Sequence, residues 1–285
     1  MQILTWHEIV NDKIGESEIT VTFCPLCNSA IVFDASLNGV TLKFGVSGNL
    51  RNSDLIMFDK KTHSWWQQLT GECLVGTHAG LQLKMLPSTL TSFSEFSSAF
   101  PDGLVLSKTT GHIREYGQNP YPSYDAPNSK PFLFFGAIDD RLPAKERVVA
   151  MTVDSKDIAI PFSLLTKARV LQFMLGENEL AVFFEPQTLS PLDKKHIPKS
   201  RDIGSTGVFT TQINGRKLNF KSSSQSIIDI ETQSVWNIFG EAISGPLSGE
   251  QLTPILHANH FWFTWSAFKP QTEVYSQEAQ SKRDQ

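Results

Sequence analysis

The stretch Gly-Glu-Cys-Leu-Val-Gly at residues 71–76 returns as Gly-Glu-Ala-Ile-Ser-Gly at residues 240–245. The two stretches lie 169 residues apart (240 − 71), and the residues that follow them match at the same offset. These matches pair Gly80, Gln82 and Leu83 with Gly249, Gln251 and Leu252. Because each copy of an internal repeat must form the same structural unit, the repeat decides the fold. We predict two tandem units.

The correspondence continues upstream through small changes of offset. An offset of 170 (229 − 59) pairs a set of polar and aromatic residues, namely Asp59, Thr62, Ser64 and Trp66 with Asp229, Thr232, Ser234 and Trp236. Further back, Asn38-Gly39 pairs with Asn214-Gly215. Asn-Gly readily adopts positive φ, so both copies should contain a hairpin turn here. The order of the matches is kept throughout, as duplication requires.

Short runs of β-branched and aromatic residues, bounded by Gly, Asn, Asp and Ser, predict strands at 18–23, 30–33, 41–45 and 55–58. Short helices are predicted at 4–10 and 92–100, the second with Phe93, Phe96 and Phe100 on one apolar face. The expected fold is mainly β (α+β). It consists of two tandem β-rich repeats with short helices, in a pseudo-twofold arrangement.

The repeat also predicts the domain boundaries. We expect a first repeat at 1–107, a Pro/Tyr/Gly-rich connector at 108–146, a second repeat at 147–275 and a disordered tail at 276–285. The second repeat opens with a strand, a turn and a strand that the first lacks, so the first should be N-terminally incomplete. Either a longer natural N-terminus, which could include a signal peptide, or another segment filling the gap would account for this.

Composition narrows the class of protein. Of 285 residues, 40% are apolar, which is enough for a globular core, and the net charge of −4 argues against a nucleic-acid partner. No apolar run has the roughly 18 residues that a transmembrane helix needs, so no transmembrane segment is predicted. Three cysteines are too few for a disulfide scaffold.

The two copies differ at residues that could bind a metal or carry out redox chemistry. Cys24-Pro25-Leu26-Cys27 in the first stands where the second has Glu185-Pro186-Gln187-Thr188. A CxxC pair can hold a soft metal such as zinc or copper with further ligands, or form a redox disulfide, or pack as buried reduced thiols. His7, which pairs with Ala168, is the best third ligand or general base, or else a histidine packed against Trp6.

The first copy has six extra residues between Phe44 and Asp59, with a spacing of 15 against 9 for the pair in the second copy. The insertion falls within 45–54, a Gly-containing loop whose polar groups could bind a ligand. Arg51 and Asp54 are either a ligand clamp or a salt bridge that ties the loop. The predicted ligand-binding residues are Trp6, Asn11, Asp12, Ser47, Asn49, Arg51, Asn52 and Asp54.

Other conspicuous residues favour structural roles. His63 is predicted at the surface, and His257 and His260 in a capping turn, although His-x-x-His could bind a metal. Cys73 pairs with Ala242 and should be a small core residue. Trp65, Trp66, Trp262 and Trp265 should belong to the core rather than form a stacking platform.

The chain resembles a large prokaryotic family known as a domain of unknown function (number 3179). The resemblance rests on motifs along nearly the whole chain, among them residues 3–12, 22–27, 44–48, 52–55, 66–72, 139–143 and 240–247. The resemblance implies a shared pocket but no activity. The chain is similar to members that are exported or lipid-anchored, so an extracytoplasmic location is expected. Cys73 and His63 depart from the residues expected there.

The sequence therefore predicts a soft-metal or thiol-redox site in the first repeat, with Cys24, Cys27 and His7 as ligands or catalytic groups. Its partner would be a metal ion or a small molecule. The alternative is a non-catalytic module that binds a small ligand or partner, in which the cysteines are structural. The reaction, the metal and the substrate stay open.

Overall fold

The computed structural model describes residues 1–223 and 226–276. The chain is mostly β, with several antiparallel sheets and four short α-helices in this part of the chain, which confirms the predicted fold class. Most of the predicted tail, residues 277–285, lies outside the described residues. Within the described residues, no helix has the length and apolar character needed to cross a membrane.

In the first unit, strands form two four-stranded sheets and one two-stranded sheet, with the orders β1-β2-β3-β10, β6-β7-β8-β9 and β4-β5. The bounds are α1 (Leu4–His7), β1 (Ile9–Ile14), β2 (Ser17–Cys24), β3 (Ser29–Asp34), β4 (Ser36–Leu37), β5 (Val40–Thr41), β6 (Phe44–Arg51), β7 (Asp54–Asp59), β8 (Trp65–Gln67), β9 (Cys73–Val75), β10 (Met85–Leu86) and α2 (Phe93–Ala99).

The second unit repeats this order after an additional pair of strands. Its bounds are β11 (Arg147–Val153), β12 (Lys156–Pro161), α3 (Phe162–Ala168), β13 (Val170–Leu175), β14 (Asn178–Glu185), a short 3₁₀ helix (Ile197–Lys199), β15 (Ser205–Thr210), β16 (Gln212–Ile213), β17 (Arg216–Lys217), β18 (Phe220–Ser223), β19 (Ser226–Asp229), β20 (Val235–Trp236), β21 (Ala242–Ser244), β22 (Ala258–Phe261), α4 (Trp262–Phe268) and β23 (Glu273–Val274). The additional strands form the sheet β22-β11-β12-β23.

Matching local contacts recur in both units. Asn38 and Asn214 both have φ of 50°, and each begins the turn of a two-stranded hairpin, as predicted. Trp66 Nε1 donates to Asp59 Oδ2 at 3.1 Å, and the counterpart tryptophan, Trp236, donates to Asp229 at 3.0 Å. These shared residues maintain the fold, because they satisfy buried polar groups in the same way twice.

Two predicted elements were wrong in extent. The helix predicted at 4–10 ends at His7, because the β-branched Ile9 and Val10 instead pair with β2. The strand predicted at 41–45 is interrupted, since β5 ends at Thr41 and β6 begins at Phe44. The second predicted helix is confirmed as α2, which Ser92 and Glu95 cap reciprocally.

Helices α2 and α4 stand at corresponding places in the sequence, and each contributes a residue that contacts the opposite unit. Glu95 of α2 accepts hydrogen bonds from Ser205 Oγ at 2.8 Å and Thr188 Oγ1 at 3.4 Å, both in the second unit. Thr264 corresponds to Glu95 at the offset of 169 (264 − 95). It lies beside Cys27 of the first unit, where it lowers the pKa of the thiol. The two helices therefore link the units to each other.

Candidate metal centre

Cys24 and Cys27 lie on the tight turn that joins β2 to β3. Cys24 ends β2, as predicted, and Asn28 adopts φ of 51° immediately before β3 begins. Cys27 N–H donates to the carbonyl oxygen of Cys24 at 3.2 Å, which closes the turn. Both thiols therefore face the same neighbour, the carbonyl oxygen of Ser53, at 3.8 Å from Cys24 Sγ and 3.4 Å from Cys27 Sγ.

The inserted segment is a hairpin rather than the loop that the sequence suggested. Strands β6 and β7 pair up to Arg51 and Asp54, so only Asn52 and Ser53 form the turn. Their φ values of 52° and 67° are those of a type I′ turn, whose twist matches that of the flanking strands. The residues between Val46 and Leu50 form an irregularity in the ladder. The hairpin carries Ser53 and Asp54 to the cysteines.

Asp54 completes the cluster. Its Oδ2 accepts hydrogen bonds from Gln67 Nε2 at 2.6 Å and from Leu69 N–H at 2.9 Å. Oδ1 is buried without a hydrogen-bond partner among the described residues. One ligand atom from each of Cys24, Cys27 and Asp54 lies within 4.8 Å of the other two, and all three side chains are buried. Three donors of this kind can hold a metal ion.

Burial controls the protonation of these groups. It raises the pKa of the Cys24 thiol, and it raises that of Cys27 well above its usual range. Burial also raises the pKa of Asp54 to about 6, although the hydrogen bonds from Gln67 and Leu69 lower it. The cause is that a buried anion loses its hydration. In the absence of a cation, both thiols are therefore protonated at neutral pH.

Glu8 is a fourth acidic group at this site, and the sequence analysis missed it. It follows α1 with φ of 59°, and its carbonyl oxygen accepts from Phe23 N–H at 2.7 Å. Burial raises the pKa of Glu8, and the charge of Asp54 raises it further, while Glu8 in turn raises the pKa of Cys24. None of the largest causes of the pKa shifts of these four side chains is a lysine or an arginine.

The second unit has a cation at the corresponding place. Arg169 follows α3 with φ of 61°, and its carbonyl oxygen accepts from Phe184 N–H at 2.8 Å, as Glu8 accepts from Phe23. The Arg169 guanidinium pairs with Glu185, which stands at the position of Cys24. The offset of 161 between the units (169 − 8) identifies this reversal of charge, and it is the signal by which Glu8 could have been found.

The connector covers the cysteines. Ser53 Oγ donates to the carbonyl oxygen of Phe132 at 2.5 Å, and Phe132 N–H donates to Tyr124 Oη at 3.2 Å. Burial raises the pKa of Tyr121 and of Tyr124 to about 12. Lys145 Nζ lies 3.4 Å from the centre of the Tyr124 ring and donates to the Tyr124 carbonyl oxygen at 2.7 Å. The segment predicted as a linker is therefore packed against the site.

The structure does not bring His7 into the cluster. Its Nε2 lies 2.6 Å from Tyr116 Oη, and its ring centre is 5.1 Å from that of His112. Trp6 Nε1 donates to the carbonyl oxygen of Gln118 at 3.1 Å. Both residues contact the connector, so the third ligand-bearing side chain beside the cysteines is Asp54 rather than His7. A catalytic role for His7 stays a prediction.

The other predicted ligand-binding residues are spread along the strands. Asn11 bridges to β6, since it donates to the Phe44 carbonyl oxygen at 2.9 Å and accepts from Phe44 N–H at 2.7 Å. Gln172 makes an equivalent bridge to Phe220 in the second unit, at 3.0 Å, so this contact belongs to the fold. Asp12 and Asn49 are exposed, and Ser47 donates a hydrogen bond to the Ile56 carbonyl oxygen. Arg51 lies over the Phe268 ring, and Asn52 belongs to the turn between β6 and β7.

The remaining sequence candidates lie elsewhere. Cys73 is buried, as predicted, and its Sγ contacts the carbonyl oxygen of Val75. His260 is buried and stacks on Trp265 with ring centres 5.5 Å apart, while His257 Nδ1 lies 2.8 Å from the Ile255 carbonyl oxygen. Trp66, Trp262 and Trp265 are buried as predicted, whereas Trp65 is exposed.

Comparison with known proteins gives one match. The model of a family described as "Protein of unknown function (DUF3179)" matches residues 1–272. No curated protein and no solved structure matches this chain. The match spans both units and includes the cysteine cluster together with the corresponding residues Arg169 and Glu185 of the second unit. It confirms the resemblance found in the sequence. The chain belongs to the DUF3179 family.

Proposed function

We propose that Cys24, Cys27 and Asp54 hold a soft divalent metal ion, with zinc as the best fit. The observation that carries the proposal is their mutual approach within 4.8 Å in a buried site. Zinc accepts thiolate and carboxylate ligands together, whereas copper(I) prefers sulfur alone. Bound zinc would supply a positive charge that stabilises both thiolates and the Asp54 carboxylate.

The charges around the site support a cation. Glu8 and Asp54 are two carboxyl groups beside two thiols, and burial of uncompensated anions is costly. In the second unit the guanidinium of Arg169 supplies the positive charge from the chain itself, where it pairs with Glu185. The first unit has Glu8 at that position, so a cation that compensates its thiolates and carboxylates would come from solution.

The burial of the site favours a closed centre over an open catalytic one. Cys27 and Asp54 are fully buried, and connector residues such as Tyr124 pack close to them. Catalytic zinc keeps a coordination position open for water or substrate, whereas structural zinc is enclosed by protein ligands. The ion would therefore tie the β2–β3 turn to the start of β7. Glu8, whose charge raises the pKa of Cys24, is the candidate for the fourth position.

Metal analysis of protein purified without chelator tests the proposal. We expect about one zinc ion per chain, as a single site requires, and a thiolate-to-cobalt charge-transfer band when Co²⁺ replaces it. Cys24→Ser, Cys27→Ser and Asp54→Asn should each remove the ion. Cys73→Ser is the matched control, because Cys73 is a buried thiol outside the cluster and should leave binding intact.

A redox pair is the second candidate, and the contact between the two thiols favours it, since each one shifts the pKa of the other. Against it, attack on a disulfide needs an accessible thiolate, and both thiols are buried with raised pKa values. Thiol counting before and after reduction separates the two. Protein with no zinc, copper or iron and with unreactive thiols would count against both versions. It would leave the ligand-binding module with structural cysteines.

A further inference from the structure

One face of the first unit is apolar and uncovered. Phe93 and Phe100, at the two ends of α2, are 69% and 44% exposed, and residues 104–106, Leu-Val-Leu, follow directly. Leu104 is 95% exposed and Val105 is 62% exposed. We call this surface the α2 face. Large apolar side chains exposed this strongly on one short stretch of chain are typical of an interaction site, because exposing them to water is unfavourable.

The second unit shows what covers the same surface there. The offset of 169 pairs Phe93 with Trp262 (262 − 93) and Val105 with Val274 (274 − 105). Trp262 is fully buried. The residues that pack around it come from the additional strands and their neighbours, namely Val148 and Ala150 of β11, Ala159 of β12, Leu69, Leu142, Trp265, Phe268 and Val274. The covering element is thus a two-stranded ribbon with small apolar side chains on one side.

The backbone takes part as well. Strand β23 pairs in parallel with β12, with Ile158 opposite Glu273 and Ala159 opposite Val274. Leu104 and Val105 are the counterparts of Glu273 and Val274, and they belong to no strand in the described structure. Their backbone groups are therefore open to pairing with an added strand. The chain's own β11 and β12 are already engaged between β22 and β23.

We infer that the α2 face is a docking surface for a partner polypeptide that presents a two-stranded antiparallel β-ribbon, its small apolar side chains packed on Phe93 and Val105. The ribbon lies across α2 as β11 and β12 lie across α4. Its second strand runs parallel to residues 104–106. A ribbon fits this surface better than a helix does. In the second unit the corresponding surface combines a face of α4 with the edge of β23, and only an added strand can both cover the helix and pair with the strand edge.

The test supplies the ribbon to the full chain. Isolated hairpins are marginal in water, so the sequence of residues 146–162 is tethered ahead of residue 1 by a flexible Gly/Ser linker, which raises its effective concentration. The readout is hydrogen exchange at the amides of 104–106, together with the melting temperature. We expect exchange to slow by about tenfold or more, as paired amides do. The control carries the same residues in scrambled order.

Two variants make the test specific. Val105→Lys should abolish the protection, because it places a charge in the apolar contact, whereas Val75→Lys, at a valine 60% exposed on β9, should leave it unchanged. Equal exchange with native and scrambled ribbons, or protection that survives Val105→Lys, would overturn the inference. So would a dimer that Val105→Lys dissolves, since that would assign the face to a second copy of this chain.

Discussion

Glu8 and Arg169 stand at corresponding backbone positions with opposite charge. Each follows a short helix, with φ of 59° and 61°, and each accepts a backbone hydrogen bond from the second strand after that helix, through Phe23 and Phe184. The local fold is therefore the same, and only the side chain differs. In one unit it supplies a cation, and in the other it adds an anion beside two thiols.

Glu8→Arg should replace the bound ion. The guanidinium would reach the Cys24 side as Arg169 reaches Glu185, so we expect metal affinity to fall by about a hundredfold or more, because a fixed cation repels a second one. The fold should be retained, since arginine already occupies this backbone conformation in the second unit. Zinc titration measures the loss. Glu16→Arg, at an exposed side chain, is the control, and a Glu8→Arg variant that binds zinc like the wild type would contradict the proposal.

Removal of metal should lower the melting temperature. An ion that binds only the folded state stabilises it by about 2.7 kcal/mol when its free concentration is a hundred times Kd. We therefore expect a chelator to destabilise the wild type and Cys73→Ser alike. Cys27→Ser should melt at one temperature with or without chelator. Calorimetry at fixed protein concentration checks this, and an equal chelator effect on Cys27→Ser would argue against the site.

His260 should make stability depend on acid pH. Burial, with a smaller contribution from His257, lowers the pKa of His260 to about 3, so the unfolded state takes up the proton first as pH falls. Stability from this group is full above pH of about 6.5 and is lost as pH falls toward 3, by about 1.4 kcal/mol per pH unit. Lys269 lines the same cavity, and its ammonium group pairs with Asp157 at 3.1 Å.

The measurement for this effect compares denaturant unfolding of the wild type and of His260→Asn between pH 7 and 4. The two free energies of unfolding should converge as pH falls, because the variant has no imidazole to protonate. Contributions from Asp54 and Glu8, whose raised pKa values act in the opposite direction, are common to both proteins. Parallel curves would show that His260 is not held neutral by the fold.

The repeated Asp–Trp hydrogen bonds should contribute equally to the free energy of unfolding in the two units. Asp59→Ala and Asp229→Ala each leave a buried tryptophan N–H without its acceptor, which costs about 1–3 kcal/mol. Asp102→Ala, at an exposed position, should change stability little. Denaturant unfolding of the three variants tests this. A large loss in one unit alone would mean that the two units do not share this support.

The sequence predicted features that the two copies share, because those depend on local order along the chain. The Asn-Gly turns at Asn38 and Asn214, the buried Trp66 and the strand that ends at Cys24 all follow from residue type and spacing. The comparison of copies also led to Asp54, as part of a segment that only one copy has.

What the sequence did not predict depends on contacts between distant segments. The turn at Asn52-Ser53 has no glycine, so a hairpin was not expected there, and serine with φ of 67° is unusual. The alanine at the counterpart position predicts His7 as a ligand, but its ring meets Tyr116 of the connector instead. Spacing along the chain does not show which of two adjacent residues, His7 or Glu8, faces the site.

The placement of α4 sets the order in which the cysteine pocket can be finished during synthesis. Phe261 N–H donates to the carbonyl oxygen of Cys27 at 2.9 Å, and Thr264 lies beside its thiol, so one wall of this pocket comes from residues that are synthesised long after the cysteines. Until the ribosome has released those residues, the sulfurs stay open to the surrounding solution. An ion bound in that interval would afterwards be enclosed, and its exchange would become slow.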